Sequence, residues 1–406
     1  MSKSVQVPSN SVRTLSVVDG DLIVGRHTVI NGEGATPKVV VSGIVRCGHH
    51  SVFQCSLSAE SFEGEGDIGI EGDLDVKDRV EAEDGHLVVS GNVSAKRIDV
   101  ERSLTVRKNL TGEEVDVGGH LEVKGNTKAQ DIDVGGRFYA EGEVEVKTID
   151  VGGSVTIQSK AKVEEIDVGG SAEIAGGHVR DIDVGGSFGS KDSLEFNSID
   201  VGGSVRLAGK SVGGDIDVGG TCNVEGDLQF GNIDVGGVVE ISGSAKGDNL
   251  DVGGVVRVGG SLQLSGSLDV GGRVEVGDEL AVHGVDVGGS VKAKSITATT
   301  KVDVGGSITT TTGVSASSVR IGRRGEVVGP IHSDEVLIGE RARVEDVRAK
   351  RIIMEEKARA RNLYGENINI ESGCSVSGEV QYTQSLRTER NVFFAKTPVK
   401  VDKLPQ

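Results

Sequence analysis

Thirteen aspartates recur along this chain at a nearly fixed step. They are Asp99, Asp116, Asp133, Asp150, Asp167, Asp183, Asp200, Asp217, Asp234, Asp251, Asp269, Asp286 and Asp303. Ten of the twelve intervals keep one 17-residue step, one is a residue shorter and one a residue longer. All but Asp99 lie in the string Asp-Val-Gly-Gly, which at Asp150, Asp167, Asp183 and Asp200 reads in full Ile-Asp-Val-Gly-Gly-Ser. A fixed period marks one small unit stacked on copies of itself. It overrides the two or three domains that 406 residues would otherwise suggest.

The unit from Ile149 to Glu165 shows what is stacked. Ile149, Val151, Val155, Ile157, Ala161 and Val163 are apolar, and one residue separates the members of each pair. That spacing of two is the strand period. Gly152 and Gly153 separate the first strand from the second, and Gln158, Ser159 and Lys160 the second from the third. Three short strands and three corners per unit close a triangular coil, whose turns stack about 4.8 Å apart. The expected fold is all-β: one domain forming a parallel β-helix, or β-solenoid, of triangular cross-section. A helical alternative fails because strand-type residues and Gly dominate. Composition agrees: Gly numbers 62, aromatics are 3% and Trp is absent. No Pro lies between Pro37 and Pro330, as an unbroken ladder requires.

The phase runs beyond the aspartates. Val319-Arg320-Ile321 and Val336-Leu337-Ile338 continue the 17-residue step, and Ile352-Ile353-Met354 and Ile368-Asn369-Ile370 continue it at 16. Upstream, Leu74-Asp75-Val76 reads as an earlier copy of the aspartate strand, and Leu22-Ile23-Val24 and Val39-Val40-Val41 are strand-like. The expected layout is an irregular segment over 1–20, a β-helix over 21–380 and a C-terminal cap or tail over 381–406. Within the helix, regular repeats run over 98–306 and a second cadence over 318–380. This gives about 20 turns and a rod of roughly 100 Å.

The net charge is −18, so nucleic acid is not an expected partner. Residues 318–361 depart from that balance, with 11 Lys and Arg against 8 Asp and Glu, a net +3 that leaves −21 elsewhere. The plain reading is a solvated face of mixed charge; the sharper one is a basic segment that docks on an acidic partner. The opening Met1-Ser2-Lys3-Ser4 leads into no apolar leader, and no apolar run reaches membrane-spanning length. Four scattered cysteines do not make a disulfide scaffold. The cytoplasm is the expected compartment.

Few residue sets suggest chemistry. In Ile-Asp-Val the flanking side chains point inward, so the aspartates form an outward column about 5 Å apart. Two roles are open to them. The carboxylates could accept hydrogen bonds from the Gly-Gly amides that follow, serving the corner, or they could form a ladder for cations. The calcium-binding nonapeptide repeats of secreted toxins use GGxGxD twice per turn, a spacing this chain lacks. Cys47, His49, His50 and Cys55 carry zinc-ligand chemistry, but their spacing matches no specific motif. No catalytic set and no cofactor are expected. The histidines are scattered and the near-uniform turns leave no long loop for a pocket. Hexapeptide acyltransferases also coil in triangles, but on a strict six-residue step that this chain does not keep.

The stretch SVRIGRRGEVVGPIHSDEVLIGERARVEDVRAKRIIMEEKARARNLYGENINIESGCSVSGEV and the ending RNVFFAKTPVKVDKLP, together spanning residues 319–405, resemble the bactofilins, particularly the archaeal polymer-forming cytoskeletal proteins. The resemblance implies a right-handed β-helix that polymerises end to end without nucleotide into filaments that scaffold cell shape. It also implies other cytoskeletal or envelope proteins as further partners. Two features depart from the family. The repeat region is much longer than typical bactofilin cores. MSKSVQVPSN is not the apolar tail with which many members contact membrane, so membrane attachment is not expected.

The leading expectation is therefore a structural, self-assembling cytoskeletal protein. The alternatives are a non-polymerising solenoid that binds cations or acts as an adhesin, and then an acyltransferase-like enzyme. Where the aspartate stripe stops, its outward position passes to Arg320, Leu337, Ile353 and Asn369. Leu337 and Ile353 put two aliphatic residues together on that face, and either the C-terminal segment or a second subunit should cover them. The expected assembly interface is Leu337, Ile353, Val392, Phe393 and Phe394, with the aromatics as anchors.

Overall fold

The computed structural model describes residues 4–405. Among them every element is a strand, and parallel strands form a β-solenoid of about 23 turns at roughly 17 residues per turn. The chain divides into two compact units, Met1–Gly202 and Gly203–Gln406, where the unbroken period suggested one domain. In a stack each turn touches only its neighbours, so a continuous period does not by itself make one compact body.

Each turn supplies three faces, and where the three strands of a turn are separate each pairs with the strand three later. In the first unit Arg97–Val100 pairs with Glu114–Val117, Ser103–Val106 with His120–Val123, and Leu110–Thr111 with Thr127–Lys128. In the second, Asn232–Val235 pairs with Asn249–Val252, Val238–Ile241 with Val255–Val258, and Leu228–Gln229 with Ala245–Gly247. The inward columns are those the alternation predicts. Ile149, Val151, Val155, Ile157, Ala161 and Val163 are all at most 2% exposed. A fully buried Val or Ile side chain contributes roughly 1.5–3 kcal/mol, against roughly 0–1 for an exposed ion pair. The core columns therefore hold the fold, and the surface charges adjust it.

The irregular intervals are absorbed at the second and third corners, not at the paired glycines. Between Asp167 and Asp183 the pairing passes from Ile157–Ile174 to Lys160–Gly176, dropping one residue, and Gly176 and Gly177 accommodate this with φ of 147° and 125°. Between Asp251 and Asp269 the extra residue lies between Leu264 and Leu268. The paired-glycine corner has a different cause. Neither Gly135 nor Gly136 has positive φ. A Cβ on Gly135 would stand 2.2 Å from the Gly118 carbonyl oxygen of the turn below. Another corner is held by an asparagine ladder, in which Asn126 N donates to Asn109 Oδ1 at 2.9 Å and Glu143 N to Asn126 Oδ1 at 3.0 Å.

Three sequence expectations change. The expected irregular segment over 1–20 is laddered across its described residues, 4–20: Val5–Val7, Val12–Leu15 and Val17–Val18 pair in parallel with the next turn. The segment 381–406 is not a separate cap or tail, because ladder pairing continues through Val399–Lys400. These two additions raise the turn count from about 20. Leu74-Asp75-Val76 is no copy of the aspartate strand. It lies on the third face, and the residue beneath Asp99 is Glu81.

Val201 and Val218 are each 1% exposed. Replacing either with Asp buries an unpaired charge, with a cost on the order of 3–5 kcal/mol. Thermal unfolding followed by circular dichroism should show a large fall in Tm for both variants. A wild-type melt would reject the inward assignment.

Candidate functional site

The aspartates stack in register. In the first unit Asp99, Asp116, Asp133, Asp150, Asp167, Asp183 and Asp200 are successive partners. In the second the run is Asp217, Asp234, Asp251, Asp269, Asp286 and Asp303. The corner role does not extend to the first glycine of the pair. The first glycine of each pair spends its amide on the ladder: Gly118 N donates to Val100 O and Gly135 N to Val117 O, both at 3.0 Å. Gly136 N goes to Gly119 O at 2.9 Å. A parallel stack takes the first glycine's amide for the turn below, so that donor is not left for the carboxylates.

Some column members meet cations at its ends. Asp99 accepts from Arg79 at 2.7 Å, Asp286 from Lys301 at 3.2 Å, and Arg320 lies 3.9 Å from Asp303. In between, like charges face each other. Partial burial and then the carboxylates of Asp133 and Asp99 push Asp116 above the ordinary Asp value. Burial and then Asp150 and Asp183 do the same to Asp167, and burial and then Asp269 and Asp234 to Asp251. Among the described residues no group of three or more His, Cys, Asp or Glu side chains converges as a metal site. The proposed cation ladder thus has outward charge without a converging ligand set.

Cys47, His49, His50 and Cys55 are dispersed in the same way. Cys47 and Cys55 are buried in the core, and burial pushes the Cys55 thiol up to about 11. His49 and His50 sit at a corner, 3.8 Å from Glu65 and 3.7 Å from Asp67, and His50 stacks on His27 with ring centroids 5.0 Å apart. Alternation sends the thiols inward and the corner sends the imidazoles outward.

The basic stretch over 318–361 is largely paired. Arg323 lies 3.1 Å from Glu340, Lys350 2.7 Å from Asp334, and Arg361 donates twice to Asp346, at 2.8 and 2.6 Å. Those bonds hold the Asp346 carboxyl below its ordinary range. This is the mixed-charge face, not a free cationic patch.

The expected assembly residues fall into two groups. Arg320, Leu337, Ile353 and Asn369 do follow Asp303 on the first face, and Leu337 and Ile353 are half-buried. The C-terminal segment does not cover them. Phe393–Phe394 pairs with Ser375–Val376 on the second face. Asn391, at φ 60°, turns the chain around that corner, so the segment extends the ladder instead of folding back. Val392 and Phe394 are half-buried, and Phe393 is 63% exposed.

Sequence reasoning missed the other edge. Val5–Val7, Val12–Leu15 and Val17–Val18 each have one ladder partner among the described residues, as do Phe393–Phe394 and Val399–Lys400. Val12 and Val17 are 64% and 67% exposed, and Val399 52%. The signal was present in Val5-x-Val7, which stands one full repeat before Leu22-x-Val24.

No family model, curated protein or solved structure matches this chain. No helix is long and apolar enough to cross a membrane.

The raised value at Asp116 has a definite sign. A carboxyl whose folded pKa exceeds its unfolded one stabilises the fold below the unfolded value and loses that contribution as pH rises through the folded value. Asp116→Asn should therefore raise Tm at pH 7 and low salt, by the equivalent of under about 1 kcal/mol for so exposed a site. The gain should shrink as pH falls below the ordinary Asp range near about 3.9. Melts across pH check this, and a gain independent of pH would reject the repulsion.

Proposed function

We propose that this protein is structural and assembles copies of itself end to end into a filament or scaffold. The observation that carries the reading is that, among the described residues, the first and last turns each have strands with a single ladder partner, flanked by exposed apolar side chains. An open strand edge presents unpaired N–H and C=O groups and templates another strand unless it is blocked. Five of the seven exposed large hydrophobics among the described residues, Val12, Val17, Val40, Phe393 and Val399, belong to the first or last few turns. The resemblance of residues 319–405 to bactofilins favours the same reading and adds a cytoskeletal, nucleotide-independent role in the cytoplasm. Assembly by strand edges needs neither nucleotide nor metal.

The aromatics at the C-terminal edge are the anchors. Changing Phe393 and Phe394 together to Ser should reduce particle size in light scattering and in negative-stain images. The circular dichroism of the solenoid should be kept. Particles of wild-type size would remove these residues from the contact.

A further inference from the structure

We infer that the contact is head-to-tail, with the N-terminal edge of one copy continuing the C-terminal edge of the next as an in-register parallel turn. This rests on the self-assembly proposed above and adds its polarity and register.

The corners supply the first argument. Near both edges, non-glycine residues hold one corner in the left-handed conformation: Asn10, His27 and His50 in the first unit, and Arg324, Arg341, Lys357 and Asn391 in the second, with φ between 52° and 60°. Gly373, at φ 70°, holds the same corner between Lys357 and Asn391. In the outermost turns the N–H of such a residue donates to a carbonyl one turn on. The acceptor is the residue just before the next left-handed one. Asn10 donates to Arg26 and His27 to His49, both at 2.9 Å. Arg324 donates to Glu340, Arg341 to Glu356, Lys357 to Ser372 and Gly373 to Arg390, at 2.8, 2.9, 3.0 and 3.3 Å. Asn391 is the last of the series, and no carbonyl among the described residues receives its N–H. Ser9 immediately precedes Asn10. In a head-to-tail stack the Ser9 carbonyl of a second copy takes the place of Glu340, Glu356, Ser372 and Arg390.

The spacing around that corner matches on both edges. Asn391 follows Thr388 by three residues, as Asn10 follows Val7. Thr388 and Val7 both occupy the first-face position that Val24 and Ile370 hold. Two residues after the corner come Phe393 and Val12, both outward on the second face. On the third face Val399 stacks outward on Gln381, and Val17 beneath Val40. Continuing the register therefore places Val12 on Phe393 and Val17 on Val399. All four are more than half exposed, and each gains an apolar neighbour on its own face. A two-fold contact between like edges reverses the order of the faces and loses this match.

Cysteine pairing tests the polarity. Register partners in a parallel ladder stand about 4.8 Å apart, inside the roughly 4.4–6.8 Å Cα range of a disulfide. All four native cysteines are buried, so the wild type gives the background. V12C/F393C and V17C/V399C should, on mild oxidation at assembling concentration, give a ladder of covalent multimers of the 42.1 kDa chain. The single variants should stay monomeric on non-reducing gels. Covalent dimers from V12C or F393C alone would overturn the head-to-tail arrangement while leaving self-assembly standing. Oligomers in light scattering with no cross-link in any variant would overturn the register. A monomer in light scattering for the wild type would overturn the assembly reading, and this inference with it.

Discussion

The backbone ladder between consecutive turns is the constraint from which the rest follows. Each turn lies about 4.8 Å above the last, so a side chain in one turn meets the same position in the next. Inward, this rewards repetition, because Val on Val and Ile on Ile fill a narrow core without gaps. At the first corner the demand is harsher. A Cβ on Gly135 would lie 2.2 Å from the carbonyl of Gly118, so glycine is strongly favoured there once the corner repeats, although Glu101 and Arg102 hold it in the turn of Asp99. The Ile-Asp-Val-Gly-Gly string is the sequence image of a ladder and a corner, each fixed by the turn beneath.

Outward, the same stacking has a cost. The aspartates face one another turn after turn, and partial burial, then this repulsion, raises Asp116, Asp167 and Asp251 above the ordinary Asp value. Elsewhere the surface alternates charge, as where Lys128 and Lys162 both donate to Glu145, at 3.0 and 2.9 Å. The aspartate column is the exception to that rule, with cation contacts at Asp99, Asp286 and Asp303. It keeps the first face strongly anionic and resists lateral pairing of first faces.

The fold was legible because alternation and period are both local properties of the chain. The inward columns of Ile149 to Val163 and the outward run from Asp303 through Arg320, Leu337 and Ile353 follow from counting residues. What was not legible depended on partners distant in sequence. Asp75 looks like a repeat aspartate, yet Glu81 stands beneath Asp99, because only pairing distinguishes the three faces. The role of the Gly-Gly amides turned on which acceptor lies nearer, a carboxylate or the carbonyl below. The N-terminal edge was hidden because Val5–Val18 lacks the aspartate and glycine marks, though its alternation is intact. The C-terminal aromatics were found by composition alone, and the left-handed corner at Asn391 decides where they point.

The central claim is that one repeat unit is one interchangeable turn. Its most direct test is thermal unfolding of two internal deletions in the second unit. Removing 234–250 takes out one full repeat and joins Ile233 to Asp251, so every column is preserved. Removing 234–245 takes out only part of a repeat and breaks all three columns. The first variant should keep a cooperative melt and a β-type circular dichroism spectrum, with Tm close to wild type, and the second should lose both. Equal damage from the two deletions would contradict the claim.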